Sequence, residues 1–117
     1  MVFTTKIMTV VFLSLVLLLT GCGSQSPKSV VNEWRKALIA GDANKANSLS
    51  TNRVKMANAY IIAMIEAKKG EYASKDFLDS KIEEEVINGD KATVKFGENT
   101  IHLVKENGKW LVDIDKD

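Results

Sequence analysis

Residues 7–19 are almost wholly apolar, interrupted by Thr9 and Ser14. As a helix this stretch would span about 20 Å, short of the ~30 Å hydrocarbon core of a bilayer. From Pro27 onward the pattern becomes periodic. Val30, Val31, Trp34, Ala37 and Leu38 recur at the spacing of one helix face, with Asn32, Glu33, Arg35 and Lys36 on the other. Ser26 as N-cap, Pro27 at the first helical position and Gly41 beyond the end bound this helix. Asp42 caps a short second helix over 43–49. Ser50 and Thr51 are predicted to cap a third helix over about 52–69, stopped by Gly70.

The third helix has an unusually wide apolar arc. Val54, Ala57, Ile61, Met64 and Ile65 share one face. Met56, Tyr60, Ala63 and Ala67 extend it to roughly 200°, while Lys55, Glu66 and Lys69 take the remainder with Ile62 among them. Such a helix must be covered on more than one side. Met56, Tyr60, Ile62, Ala63 and Ala67 are therefore candidates for a surface that meets a protein partner or a second copy of the chain. Coverage by the chain's own helices and sheet is the alternative.

After Gly70 the period shortens. A mixed stretch over 77–87 leads into a strand, and Asn88-Gly89-Asp90 signals a hairpin. Residues 91–96 alternate Ala92, Val94 and Phe96 against Lys91, Thr93 and Lys95. Gly97-Glu98-Asn99 turns the chain into a strand over 100–106. Asn107-Gly108 predicts a two-residue type I′ turn, followed by a strand over 109–115. That turn sets Lys105 opposite Trp110, Leu103 opposite Val112 and Ile101 opposite Ile114, an apolar face. The other face pairs Val104 with Leu111 and His102 with Asp113. For the first hairpin a three-residue loop is expected, with Val86 opposite Ala92, Glu83 opposite Lys95 and Ile82 opposite Phe96. Helices followed by an antiparallel meander of about four strands predict an α+β fold, helices packed on one face of the sheet.

Charge separates the two parts of the chain. The 117 residues carry 16 Lys and Arg against 15 Asp and Glu, a net charge of +1. Lys6 is the one charged residue before position 22, so the rest is neutral overall. That balance argues against a nucleic-acid binder. A single Cys excludes an intrachain disulfide framework and a Cys-based zinc site. Lys6, the short apolar run and the small residues behind it read as a signal peptide. Leu19-Thr20-Gly21-Cys22 then resembles the bacterial lipobox: an aliphatic residue, two small ones and an obligatory Cys.

The resemblance implies that Cys22 receives a diacylglyceryl group. Signal peptidase, recognising Leu19, Thr20 and Gly21, then leaves Cys22 as the new N-terminus, often acylated again. Two chains suffice for stable anchoring where one is marginal. The expected organisation is a signal peptide over 1–21, a lipidated Cys with a short tether over 22–26, and one domain over 27–117. The tether reaches only about 14 Å when extended, so the domain sits close to the membrane's non-cytoplasmic surface. Gly23, in place of the Asp that favours inner-membrane retention, resembles an outer-membrane sorting signal if the envelope is Gram-negative.

Several short runs carry a second resemblance. They are Ser26-Pro27-x-x-Val30-Val31, Ala37-Leu38-x-x-Gly41-Asp42-x-x-Lys45-Ala46, Gly89-Asp90-Lys91-Ala92-Thr93-Val94 and Leu103-Val104-Lys105-Glu106-Asn107-Gly108-Lys109-Trp110. Together they look like small lipoproteins of unknown function in the nuclear-transport-factor-2-like superfamily, which has a cystatin-like cone fold. This implies a curved sheet wrapping a long helix, with a pocket at the open end. It implies no single activity, because that superfamily hosts enzymes, adaptors and inert scaffolds.

No constellation points to catalysis, a cofactor or a metal. His102 opposite Asp113 is the one candidate acid–base dyad. Glu83-Glu84-Glu85 reads as a solvated edge strand or, less simply, a cation site. Trp34 and Trp110 fall on predicted core faces; alternatively they line, with Tyr60 and Tyr72, an apolar pocket for a lipid or small ligand. The leading expectation is a non-catalytic binding or scaffolding domain on a lipid anchor. A cone-fold carrier or enzyme, and an exclusion or immunity lipoprotein of a mobile element, are the alternatives.

Overall fold

The computed structural model describes residues 25–114; the apolar leader and Leu19-Thr20-Gly21-Cys22 lie outside them. The order is α1 (Pro27–Ala40), α2 (Ala43–Ser48), a 3₁₀ turn (Asn52–Val54), α3 (Lys55–Ala67), a 3₁₀ turn (Glu71–Ala73), α4 (Lys75–Asp79), then β1 (Ile82–Asn88), β2 (Lys91–Phe96), β3 (Asn99–Glu106) and β4 (Lys109–Asp113). The four strands form one antiparallel meander, β1-β2-β3-β4. This is the α+β class that the pattern predicts.

The caps of α1 and α2 form as expected. Ser26 Oγ accepts from Ser29 N–H, Gly41 turns left-handed at φ 75°, and Asp42 Oδ1 accepts from Lys45 N–H. The third helix differs. Its first turn is 3₁₀, Thr51 makes no capping bond, and the helix ends at a left-handed Lys68 (φ 57°) rather than running on to Gly70. Thr51 is occupied elsewhere: its hydroxyl donates to Asp113 at 2.8 Å.

Residues 49–51 run along β4 instead. Thr51 N–H donates to Val112 O and Val112 N–H to Leu49 O, a parallel bridge centred on Ser50. This covers the free edge of β4, which would otherwise offer unpaired backbone groups to another chain.

The second hairpin has the predicted register: Lys105 opposes Trp110, Leu103 opposes Val112 and His102 opposes Asp113. Asn107 and Gly108 both have positive φ, as a type I′ turn requires. Ile114, expected on the apolar face, lies beyond the end of β4 and is exposed. The first hairpin differs from expectation. Asn88 pairs with Lys91 across a two-residue Gly89-Asp90 turn, and Val86 opposes Thr93. A β-bulge between Ile82 and Glu84 absorbs one residue and restores Ile82 to Phe96.

The core lies between α1 and the sheet. Val30, Val31, Trp34, Ala37 and Leu38 meet Ala92, Val94, Phe96, Leu103, Trp110 and Val112, with Ala46, Val54, Ile61, Ile62 and Phe77 closing the sides. Phe77, from the short α4, is the aromatic hub. Its ring lies edge-on to Trp34, Tyr72 and Phe96 at centroid distances of 6.2, 5.3 and 5.6 Å.

Arg35 also joins this interior, although the helical pattern places it on the solvent side. Its guanidinium donates to Phe77 O at 3.1 Å and lies 4.2 Å from the Phe96 ring centroid. The aliphatic stem is buried and the charge sits over an aromatic face. Burial lowers its pKa, with Asp79 opposing the shift.

Candidate functional site

The outward face of α3 is one candidate site. Val54, Asn58, Ile61 and Ile62 turn inward and are buried. Met56, Ala59, Tyr60, Ala63 and Ala67 turn outward, and Met56 and Tyr60 are 86% and 59% exposed. Met56 to Ala67 makes a stripe about 16 Å long without a charged residue on it. Lys55 and Glu66 border it on one flank. On the other, Tyr60 meets Tyr72 edge-to-face at 6.5 Å, and burial raises the Tyr72 pKa, with Glu71 adding to the shift.

Of the five surface candidates, the structure therefore brings Met56, Tyr60, Ala63 and Ala67 into one stripe. Ile62 does not belong to it. The helical wheel sets Ile62 among charged residues, yet it is 8% exposed and belongs to the core cluster, with α1 and α2 both packed against α3.

Asn58 is the residue that sequence reasoning missed here. It is fully buried within an apolar helix, and its side chain joins three elements. Trp34 Nε1–H donates to its Oδ1 at 2.8 Å, and its Nδ2 donates to Asn47 Oδ1 and Ser50 Oγ at 3.1 and 3.0 Å. Ser50 Oγ donates in turn to Ala46 O at 2.7 Å. The network is closed: among the described residues no buried side-chain N or O lacks a partner. A lone Asn on the inner face of an apolar helix is the signal that marks such a network.

The four aromatic pocket candidates do not converge. Trp34 and Tyr72 line one cavity of about 200 Å³, with Ala57, Ile61 and Ile101. Trp110 lines a separate groove of about 280 Å³ beside Val30, Leu49 and Leu111. Tyr60 lines neither. Both are smaller than the roughly 300–1,000 Å³ of ordinary ligand sites.

His102 and Asp113 stand opposite each other in the β3–β4 register. The Asp113 carboxylate is held by the Arg53 guanidinium through two nitrogens, with Nε at 2.6 Å, and by the Thr51 hydroxyl. These bonds, Arg53 first, hold its pKa well below the usual carboxylate range. Donors from outside the sheet, Thr51 and Arg53, thus hold the carboxylate that stands opposite His102.

The acidic run is divided among separate tasks. Glu83 Oε1 accepts from Gly97 N–H at 3.1 Å, Glu84 lies 3.8 Å from Lys95 Nζ, and Glu85 Oε2 accepts from Lys28 N–H at 2.9 Å. Glu85 thereby fills an open donor in the first turn of α1, where negative charge is favoured. The three carboxylates thus meet three different partners, and among the described residues no group of three or more acidic, His or Cys side chains could hold a metal ion.

No helix among the described residues is long and apolar enough to cross a membrane. Comparison with family models, with curated proteins and with solved structures returns no match of any kind.

Proposed function

We propose that this chain is an envelope lipoprotein, anchored through lipid on Cys22, whose single small domain acts by protein contact and not by catalysis. The observation that carries the contact is the outward stripe of Met56, Tyr60, Ala63 and Ala67. Large apolar side chains grouped on a surface without charge mark interaction sites. The anchor rests on Leu19-Thr20-Gly21-Cys22 placed directly behind the apolar run.

In this reading residues 1–21 are a removed signal peptide, and the helices and meander form a cone-like domain of the nuclear-transport-factor-2-like kind. The domain begins at Pro27, five residues beyond Cys22, which keeps it near the lipid surface. The side-chain charge after position 21 balances, so acyl chains rather than electrostatic attraction hold the protein to its membrane.

The test is metabolic labelling with a palmitate analogue, combined with membrane fractionation of wild type and Cys22→Ser. Label on the wild type alone, with the variant released from the membrane, supports the anchor. An unlabelled wild type, or a variant that remains membrane-bound, overturns it.

A further inference from the structure

We infer that the partner of the α3 stripe is a second copy of the same chain, packed with the two α3 helices antiparallel. This rests on the reading of the stripe as a contact surface and names what covers it. The argument comes from how size and charge are arranged along Lys55–Ala67.

At about 100° per residue, Met56, Ala63, Ala67 and Tyr60 fall within one narrow sector of the helix. A two-fold axis between Tyr60 and Ala63, perpendicular to the helix, sets Met56 against Ala67 and Tyr60 against Ala63 of the other copy. Each large side chain meets a small one, and both meetings occur twice. An isologous interface requires this self-complementarity, and large-into-small packing is what lets two helices approach at the usual 8–10 Å.

Charge gives the same answer independently. Lys55 and Glu66 lie on the same flank of the stripe, one in the first turn of α3 and one in the last. The two-fold keeps that flank on one side and reverses its direction. Lys55 of each copy therefore comes alongside Glu66 of the other, within about 3 Å along the axis. In the monomer both charges oppose the helix dipole: α3 has no acidic residue in its first turn and no basic residue in its last. Among the described residues, the two ion pairs are Arg53–Asp113 and Lys95–Glu84, so neither Lys55 nor Glu66 is engaged in one. An antiparallel copy supplies each with the opposite charge and with the favourable end of a neighbouring dipole.

One helix face buries less than the roughly 800 Å² per partner of a standard interface. The pair is therefore weak in free solution and depends on confinement in the membrane plane, which raises the effective concentration.

The experiment uses the full-length protein in its own membranes. Cys22 is blocked by lipid, so Ala63→Cys supplies the one free thiol, next to the two-fold axis. A short bis-maleimide is expected to give a covalent dimer of Ala63→Cys and nothing with the parent. In that background Lys55→Glu or Glu66→Lys alone is expected to cut the yield about tenfold, by replacing attraction with like-charge contact. The double reversal in one chain restores the yield, because each copy again meets an opposite charge.

A dimer lost in both single reversals and recovered in the double one supports the antiparallel pair. Failure of the double reversal to recover it, or crosslinking to a different protein alone, overturns self-pairing and leaves the contact reading standing. Absence of any crosslinked dimer from Ala63→Cys likewise overturns self-pairing, since both copies carry the thiol. Maleimide labelling of the parent shows separately that the anchor reading is wrong.

Discussion

The indole N–H of Trp34 donates to Asn58 Oδ1 at 2.8 Å, and this bond ties α1 to α3 inside the core. Asn58 holds Asn47 and Ser50 through its other end. Asn58→Ala therefore removes three hydrogen bonds at once, leaves the buried Trp34 indole N–H without its acceptor, and is expected to cost about 3 kcal/mol in urea denaturation. Trp34→Phe removes one donor and frees one acceptor. A double-mutant cycle between the two sites is expected to show coupling of about 1 kcal/mol.

The Asp113 carboxylate accepts from Arg53 and Thr51, and its folded pKa is depressed. A depressed carboxylate contributes stability above its unfolded pKa, about 3.9, and loses that contribution as pH falls through the folded value. Wild type should therefore lose stability steadily as the solution is acidified below about pH 5. Asp113→Asn is expected to be less stable at pH 7 and flatter toward acid, the two curves converging at the lowest pH. Denaturant midpoints measured across the range check this. Parallel curves would mean that Asp113 is not the titrating group.

Much of this fold is legible in the sequence where one local requirement leaves a single solution. Asn107-Gly108 is such a place: a two-residue turn with both φ positive fixes the register of β3 on β4. Ser26, Pro27, Gly41 and Asp42 are others. Legibility fails where tertiary contact overrides the local pattern. A bulge between Ile82 and Glu84 cannot be read from Glu83-Glu84-Glu85, whose carboxylates meet Lys28 N–H and Gly97 N–H from distant parts of the chain. Arg35 looks solvent-facing until Phe77 and Phe96 arrive from 42 and 61 positions away. In the candidate site, the wide arc of the third helix is visible in sequence. Which part of that arc stays uncovered is not, since the packing of α1 and α2 decides it.

Asp76 shows a clasp of the same long-range kind. Its Oδ2 accepts from Glu98 N–H and Asn99 Nδ2, both at 3.0 Å, and fixes the β2–β3 turn onto α4. Gly97 has φ 57°, and a Cβ there would collide with the Asp76 carboxylate. Gly97→Ala is thus expected to cost about 3 kcal/mol, part from positive φ and part from the collision. Asp76→Ala costs less alone. It should recover some of the loss when combined with Gly97→Ala, because the collision is gone and only the backbone strain remains. Thermal unfolding of the three variants separates the two contributions.

The burial difference between Ile62 and its outward neighbours gives the sharpest separation of fold from function. Ile62 is 8% exposed and packs into the core, so Ile62→Ala is expected to cost about 2–4 kcal/mol. Met56 is 86% exposed, and Met56→Ser should stay within about 0.5 kcal/mol of wild type. Ala63→Ser belongs with Met56→Ser. Tyr60→Ser is expected to lose up to about 1 kcal/mol, because it gives up the edge contact with Tyr72. These outward changes replace apolar surface by hydroxyls and should weaken association while leaving the monomer folded. Thermal unfolding of each purified variant reads the first effect, and crosslinking in the membrane reads the second. If Met56→Ser lowers stability as far as Ile62→Ala does, the stripe is part of the core and no contact surface exists there.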